Sequence, residues 1–302
     1  MMMHVGNKEV RSGRILLFFL RKRAIRALAG FFFIIHPFPV FMNATAAVAF
    51  LLVASPNIDA WTILGLFLSV TAVHAAIGSL NDYCDFELDS KTKPDKPLVK
   101  GLLPLRHALI FALLSALLGL GISAALSLSA LLFALAVLSA GTWYDLALKR
   151  TVFSWLPYTV FIPSLPLWSY AAVGRYQPVL LLSYIVGAPL SVGLNLTNTL
   201  PDLDGDTQFG VRGLAHRLGA HRALLGALIC FGGSICLMLV LSPVVENNWA
   251  YLLPGLALSF FILFAMMGYV LMSRGMIHLK CIWYLSAFLA TLLGFTWLVS
   301  LP

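Results

Sequence analysis

The sequence predicts an all-α, polytopic membrane protein, and three observations carry that prediction. Of 302 residues, 60% are hydrophobic and only 11% charged, and the mean hydropathy is +0.92. Soluble domains run near about 25% charged and about 45–50% apolar. The apolar residues fall in blocks of about 20, the length that crosses ~30 Å of hydrocarbon as a helix. The charges collect between the blocks. Lipid offers the backbone no hydrogen bonds, so each block must satisfy its own backbone groups as a helix.

Nine blocks are predicted to span the bilayer: 29–53, 60–80, 107–125, 127–144, 154–173, 178–199, 223–242, 249–271 and 281–300. A very tight turn near Ser127 joins the third and fourth. The basic run from Arg21 to Arg26 before the first block superficially resembles a secretory signal, but the apolar run continues to Val53 without a persuasive cleavage site, so an uncleaved span is expected. Residues 1–28 read as a basic cytoplasmic segment and 29–302 as one nine-helix domain. With the N-terminus inside, 19 of the 20 Lys and Arg residues fall on inner segments and only Arg175 falls outside. This bias predicts an N-in, C-out topology in the cytoplasmic or inner membrane, which requires an odd number of spans.

Ten of the twelve acids are also inside, the exceptions being Asp59 and Glu246. The net charge of +8 thus reflects topology signals and anion ligands, and no nucleic-acid partner is expected. Cys84, Cys230, Cys236 and Cys281 show neither metal nor disulfide spacing and read as small hydrophobes.

The second block runs into NDYCDFELD (81–89), which places four carboxylates, Asp82, Asp85, Glu87 and Asp89, within eight positions. The sixth block ends in a copy of its spacing: Asn81-x3-Asp85-x3-Asp89 corresponds to Asn198-x3-Asp202-x3-Asp206. Residues four apart on a helix share one face. Each motif therefore offers an amide and two carboxylates in a column at the cytoplasmic mouth. Such carboxylates repel and resist desolvation. Mg²⁺, which takes one or two carboxylates plus substrate phosphates, is the natural relief. A solvated acidic loop explains one motif well but not two of identical spacing on one side. An EF-hand reading of DLDGD (202–206) fails because position 12 is Gly213 rather than Glu.

Basic residues flank both motifs: Lys91, Lys93, Lys96 and Lys100 after the first, Arg212, Arg217 and Arg222 after the second, and Lys149 and Arg150 after the fourth block. Plain topology signalling accounts for many of them. Acids for metal with lysines and arginines for phosphate nevertheless form the pattern expected of a metal–diphosphate site. Within the spans, His74, Asn43 and Asn195 are expected to line a cavity or to make helix–helix hydrogen bonds. Phe31, Phe32, Phe33, Trp143, Trp155, Tyr158 and Trp168 are candidates to shield a carbocation, or to pack and anchor at the interface.

These motifs resemble the UbiA superfamily of intramembrane prenyltransferases, whose pattern is NDxxDxxxD after the second helix and DxxxD after the sixth. The loops KPDKPLVKG (93–101) and GVRGLAHRLG (210–219) resemble it too, so the likeness runs from about His36 to Gly219. It implies nine helices in a ring around a central cavity, open to lipid at one side. It implies two Mg²⁺ ions on Asp85, Asp89, Asp202 and Asp206, supported by Asn81 and Asn198. Lys93, Lys96, Lys149, Arg150 and Arg212 would contact the diphosphate. Two departures stand out. Tyr144 to Lys149 is one residue longer than the family's Tyr-x3-Lys, and His36-Pro37 stands where many members have arginine before proline.

The expected activity is transfer of an isoprenyl group from a prenyl diphosphate to a lipophilic acceptor within the bilayer. An aromatic quinone precursor is the favoured acceptor, with a glycerol-phosphate lipid or a chlorin as alternatives because KPDKP resembles those branches. A cation-coupled transporter is the rival from another class, but it should carry acids near mid-membrane and inverted repeats.

Overall fold

The computed structural model describes residues 25–272 and 278–302, so most of the predicted basic segment 1–28 lies outside the described residues. All regular structure among the described residues is helical. The elements are α1 (Ile25–Ile34), α2 (Pro37–Ala54), α3 (Ala60–Cys84), α4 (Phe86–Thr92), α5 (Leu105–Leu126), α6 (Leu128–Trp143), α7 (Leu156–Ala172), α8 (Leu182–Thr199), α9 (Leu203–Gln208), α10 (Leu214–Leu218), α11 (Ala220–Val245), α12 (Trp249–Met272) and α13 (Leu279–Ser300). Eight helical segments are long and apolar enough to cross a bilayer. The fifth predicted block forms the 17-residue α7, which carries Pro163 and Pro166 inside it.

The first predicted block is not one helix. His36 adopts left-handed backbone angles (φ 56°, ψ 71°), and Pro37 starts α2. Proline lacks the N–H that a helix interior needs but suits a first turn, and it disfavours helical geometry in the residue before it. Gly78 of α3 accommodates the break, because a Cβ there would stand 2.9 Å from the Ile35 carbonyl oxygen. The interruption thus lies directly against α3, near the first acid motif.

The long helices form a closed circuit. α2 packs on α3, α3 on α5, α5 on α6, α6 on α7, α7 on α8, α8 on α11, α11 on α12, α12 on α13, and α13 returns to α2. Contacts of α2 with α7, α3 with α6, and α8 with α13 draw the inner wall together. α12 lies at the periphery, with only Leu252, Leu256, Ser259 and Met266 buried. Helices within lipid associate through close packing and hydrogen bonds rather than hydrophobic exclusion.

The α3–α5 seam follows that rule: α5 buries Ala108, Ala112, Ser115, Gly119 and Ser123, a stripe at helical spacing. Ser69 Oγ of α3 donates to the Gly119 carbonyl at 2.7 Å and lies 2.6 Å from Ser123 Oγ. The tight turn expected near Ser127 is present. Ser127 Oγ accepts from Ala130 N to cap α6 and donates to the Ala171 carbonyl of α7. On the α2–α3 connection, Asp59 caps α3 by accepting from Trp61 N, Thr62 N and Thr62 Oγ1.

The α3–α5 seam leaves no room for a larger residue. A Cβ at Gly119 would meet Val73 Cγ2 at 2.7 Å and the Ser69 carbonyl oxygen at 3.0 Å. Gly119→Val is therefore expected to destabilise the fold by about 1–3 kcal/mol, read as a lower unfolding temperature in detergent. An unchanged temperature would show that α3 and α5 do not meet here.

Candidate active site

The first acid column is set by backbone geometry. Asp85 N bonds to the Asn81 carbonyl at 2.9 Å, Asp89 N to that of Asp85 at 2.8 Å, and Lys93 N to that of Asp89 at 2.8 Å. The i→i−4 register thus runs from the end of α3 through α4, stacking Asn81, Asp85, Asp89 and Lys93. Asp85 and Asp89 are 4% and 1% exposed. The second column follows α8 through a 3₁₀ turn (Leu200–Asp202) into α9, which packs against α4.

Lys93 joins the two columns. Its Nζ is 2.8 Å from Asp202 Oδ2 and 3.7 Å from Asp89 Oδ1. Lys96 Nζ donates to Asp82 Oδ1 and lies 3.0 Å from Asp89 Oδ2. Lys149 Nζ donates to Asp85 Oδ2, and Arg150 Nη2 is 3.7 Å from Asp85 Oδ1. Burial alone would weaken the Lys149 and Lys96 ammonium groups. The carboxylates of Asp85 and Asp145 around Lys149, and of Asp82 and Asp89 around Lys96, outweigh it and raise both above the usual lysine range.

The extra residue between Tyr144 and Lys149 is absorbed by a π turn over Tyr144–Leu148, closed by Lys149 N bonding to the Tyr144 carbonyl at 2.9 Å. A π turn admits one residue beyond an α-helical repeat. It leaves Lys149 Nζ 5.9 Å from the centre of the Tyr144 ring, so the altered spacing does not separate the two residues.

The inner helices line an open cavity of about 510 Å³, which both motifs reach. Asn81, Lys93, Lys96, Lys149, Asn198, Asp202 and Asp206 line it. Asp85 and Asp89 lie buried behind their lysines, and Arg212 is exposed outside the lining. His74 and Asn43 line the cavity, whereas Asn195 makes the structural contact, bonding through both amide atoms to Ser154 of the loop before α7. Of the seven candidate aromatics only Tyr158 faces the cavity, beside Tyr144 and Phe161. Its hydroxyl accepts from Asn198 Nδ2 at 2.9 Å. Phe32, Phe33 and Trp143 are exposed, Phe31 packs on Phe111, and Trp168 is fully buried in the core.

Three further residues are brought to this cavity by the fold. His36 Nε2 lies 2.9 Å from Asp82 Oδ1. His216 lines the wall with Nε2 4.0 Å from Asp206 Oδ2, and burial lowers its pKa. Asp145 accepts from Asn81 Nδ2 at 2.7 Å. His36 carried a signal through the His36-Pro37 departure and Asp145 as a carboxylate directly after an apolar block.

The donor set suits Mg²⁺. Among the described residues no three His, Cys, Asp or Glu side chains converge on one point, but Mg²⁺ keeps waters and phosphate oxygens and needs only one or two carboxylates. Oδ1 of Asp206 is buried without a hydrogen-bond donor, and the buried Asp89 carboxylate is met only by the Lys93 and Lys96 ammonium groups. Hard anionic oxygens in that condition are natural cation ligands.

Fold and site together define an integral membrane enzyme of the prenyltransferase class, with acids and lysines of separate helices meeting at one intramembrane cavity. The model of the UbiA prenyltransferase family matches residues 42–292, and the chain belongs to that family. It is 28% identical over 198 residues to the digeranylgeranylglyceryl phosphate synthase of Pyrococcus abyssi, covering 65% of this chain and 71% of that protein. It is 27% identical over 219 residues to naringenin 8-dimethylallyltransferase 2 of Sophora flavescens, covering 65% of this chain and 54% of that one. The solved structure of a UbiA homolog from Archaeoglobus fulgidus bound to DMAPP and Mg²⁺ matches with a TM-score of 0.67 at 17% identity, over 89% of this chain and 98% of that one. At that identity the likeness establishes the fold.

The Lys149–Asp85 pair is largely buried, with side chains 20% and 5% exposed. Removing one member of such a pair strands a charge. Without Mg²⁺, the Asp85→Asn/Lys149→Met double variant is expected to cost less stability than the two single variants added together, with a coupling on the order of 1–3 kcal/mol. Denaturant unfolding in detergent measures it, and strictly additive single effects would contradict the pairing.

Proposed function

We propose that this enzyme transfers an isoprenyl group from a prenyl diphosphate to a hydroxyl of a glycerol-phosphate lipid, using Mg²⁺. The observation that carries the transferase chemistry is the meeting of the two acid columns across Lys93, 2.8 Å from Asp202 and 3.7 Å from Asp89. The likeness to digeranylgeranylglyceryl phosphate synthase supports the acceptor class, and the aromatic acceptor favoured by the sequence gives way to it. The transporter reading falls with membership of a transferase family.

In this reading Asp85, Asp89, Asp202 and Asp206 hold two Mg²⁺ ions, with Asn81 and Asn198 beside them. Bound Mg²⁺ supplies Lewis-acid neutralisation of the leaving diphosphate. Lys93, Lys96 and Lys149 turn their ammonium groups to its oxygens, with Arg150 and Arg212 at the rim. Fixed positive charge aimed where negative charge develops lowers the barrier to C–O cleavage. Tyr144, Tyr158 and Phe161 present aromatic faces to the allylic cation and exclude water that would capture it. The proposed topology is nine spans, N-in and C-out, with the cavity mouth at the cytoplasmic face of the membrane.

The test uses membranes with labelled geranylgeranyl diphosphate and either a monoalkyl glyceryl phosphate or a hydroxybenzoate. A labelled ether lipid is expected, lost on chelation and restored by Mg²⁺. Asp85→Ala and Asp202→Ala are each expected to cut turnover by roughly 10²–10³-fold or more while retaining helical content and a monodisperse elution profile. Wild-type turnover in either variant contradicts the metal assignment. Prenylation of the hydroxybenzoate alone contradicts the acceptor.

A further inference from the structure

Joining an allylic group to a hydroxyl oxygen requires that the hydroxyl lose its proton inside a cavity that excludes water. The carboxylates of the two motifs are committed elsewhere. Asp82 is held by His36 and Lys96, Asp85 by Lys149 and Arg150, Asp89 by Lys93 and Lys96, and Asp202 by Lys93. Asp206 belongs to the second metal-binding column and lies nearest His216.

Asp145 differs from all of them. It belongs to neither motif, lines the cavity, and has no lysine, arginine or histidine at ion-pair distance among the described residues. One oxygen, Oδ1, is fixed by the Asn81 amide at 2.7 Å. The other, Oδ2, is buried and has no hydrogen-bond partner. A buried carboxylate oxygen left without a donor is costly, and an O–H donor from a bound molecule relieves it. Its tie to Asn81 sets Asp145 beside the first acid column, where the donor's C–O bond would break. The π turn fixes its position between Tyr144 and Lys149 on the same wall.

We infer that Asp145 is the proton acceptor for the hydroxyl nucleophile. This inference rests on the hydroxyl-acceptor reading above. The donor's allylic C–O bond breaks, and its electron pair leaves with the diphosphate. A lone pair of the acceptor oxygen forms the new C–O bond, and the O–H proton passes to Asp145 Oδ2. It then leaves to the departing diphosphate or to water at the mouth.

Asp145→Asn tests the assignment, because the asparagine oxygen still accepts from Asn81 while the base is gone. Two rates are measured on the same purified protein with Mg²⁺: ether formation with the monoalkyl glyceryl phosphate, and diphosphate release from the donor with no acceptor present. Ether formation is expected to fall about 10²–10⁴-fold, the usual contribution of a positioned base, while diphosphate release stays at the wild-type rate. An acceptor with a more acidic hydroxyl should recover part of the loss. Unchanged ether formation overturns the inference. So does a parallel fall of both rates, which would make Asp145 a positioning residue acting through Asn81. Absence of ether product from the wild type, with hydroxybenzoate prenylated instead, removes the hydroxyl acceptor itself and this inference with it.

Discussion

A carboxylate taken out of water must be given a cation or a set of hydrogen-bond donors, and this molecule takes several of them out of water at one place. The desolvation penalty is several kcal/mol per ion even after relaxation. Asp82, Asp85 and Asp89 are each no more than 4% exposed. They are sustained by Lys96, Lys149 and Lys93, which reach them from two loops and thereby tie the ends of α3, α6 and α8 together. The compensation is structural and chemical at once. The ammonium groups that stabilise the acids in this structure are those proposed to meet the diphosphate, and on that proposal binding of the metal–diphosphate unit would exchange one set of oppositely charged partners for another. Such an exchange leaves no ion buried alone at any stage, which a site built from acids alone could not achieve.

Much of the fold was legible because its governing constraint is simple. Backbone groups in lipid must pair within their own segment, so apolar length translates almost directly into helices. The positions that escaped that rule share one cause, a local break in helical register. Helical geometry is disfavoured before Pro37, and the run divides at His36, which takes a left-handed conformation. Pro163 and Pro166 lie within the 17-residue α7. The Tyr144–Lys149 spacing looked like a departure because it was judged against an α-helical repeat. The π turn supplies a wider one, and the two side chains remain neighbours.

The site was legible to the extent that its residues are regularly spaced. Asn81, Asp85 and Asp89 lie on one face because each backbone N–H bonds to the carbonyl four residues earlier. Residues contributed singly carried weaker signals. His36, Asp145 and His216 reach the cavity from three different elements, and only tertiary packing brings them near Asp82, Asn81 and Asp206. Asn195 illustrates the converse. A polar residue within a span has two outlets, a cavity or a neighbouring helix or loop, and sequence cannot choose between them. Here Ser154 satisfies both ends of the amide.

Cavity chemistry follows from how these breaks are distributed. The His36 break, the π turn and the 3₁₀ turn before α9 all border the same cavity. Regular helices can present side chains to a cavity only at their own repeat. Interrupting three segments around it lets them present an imidazole, a lysine, a lone carboxylate and an acid column that no single period would bring together. Irregular backbone is tolerated at membrane depth where it is buried in protein or lines a water-filled cavity. These interruptions therefore mark the region where the charged side chains of separate helices meet.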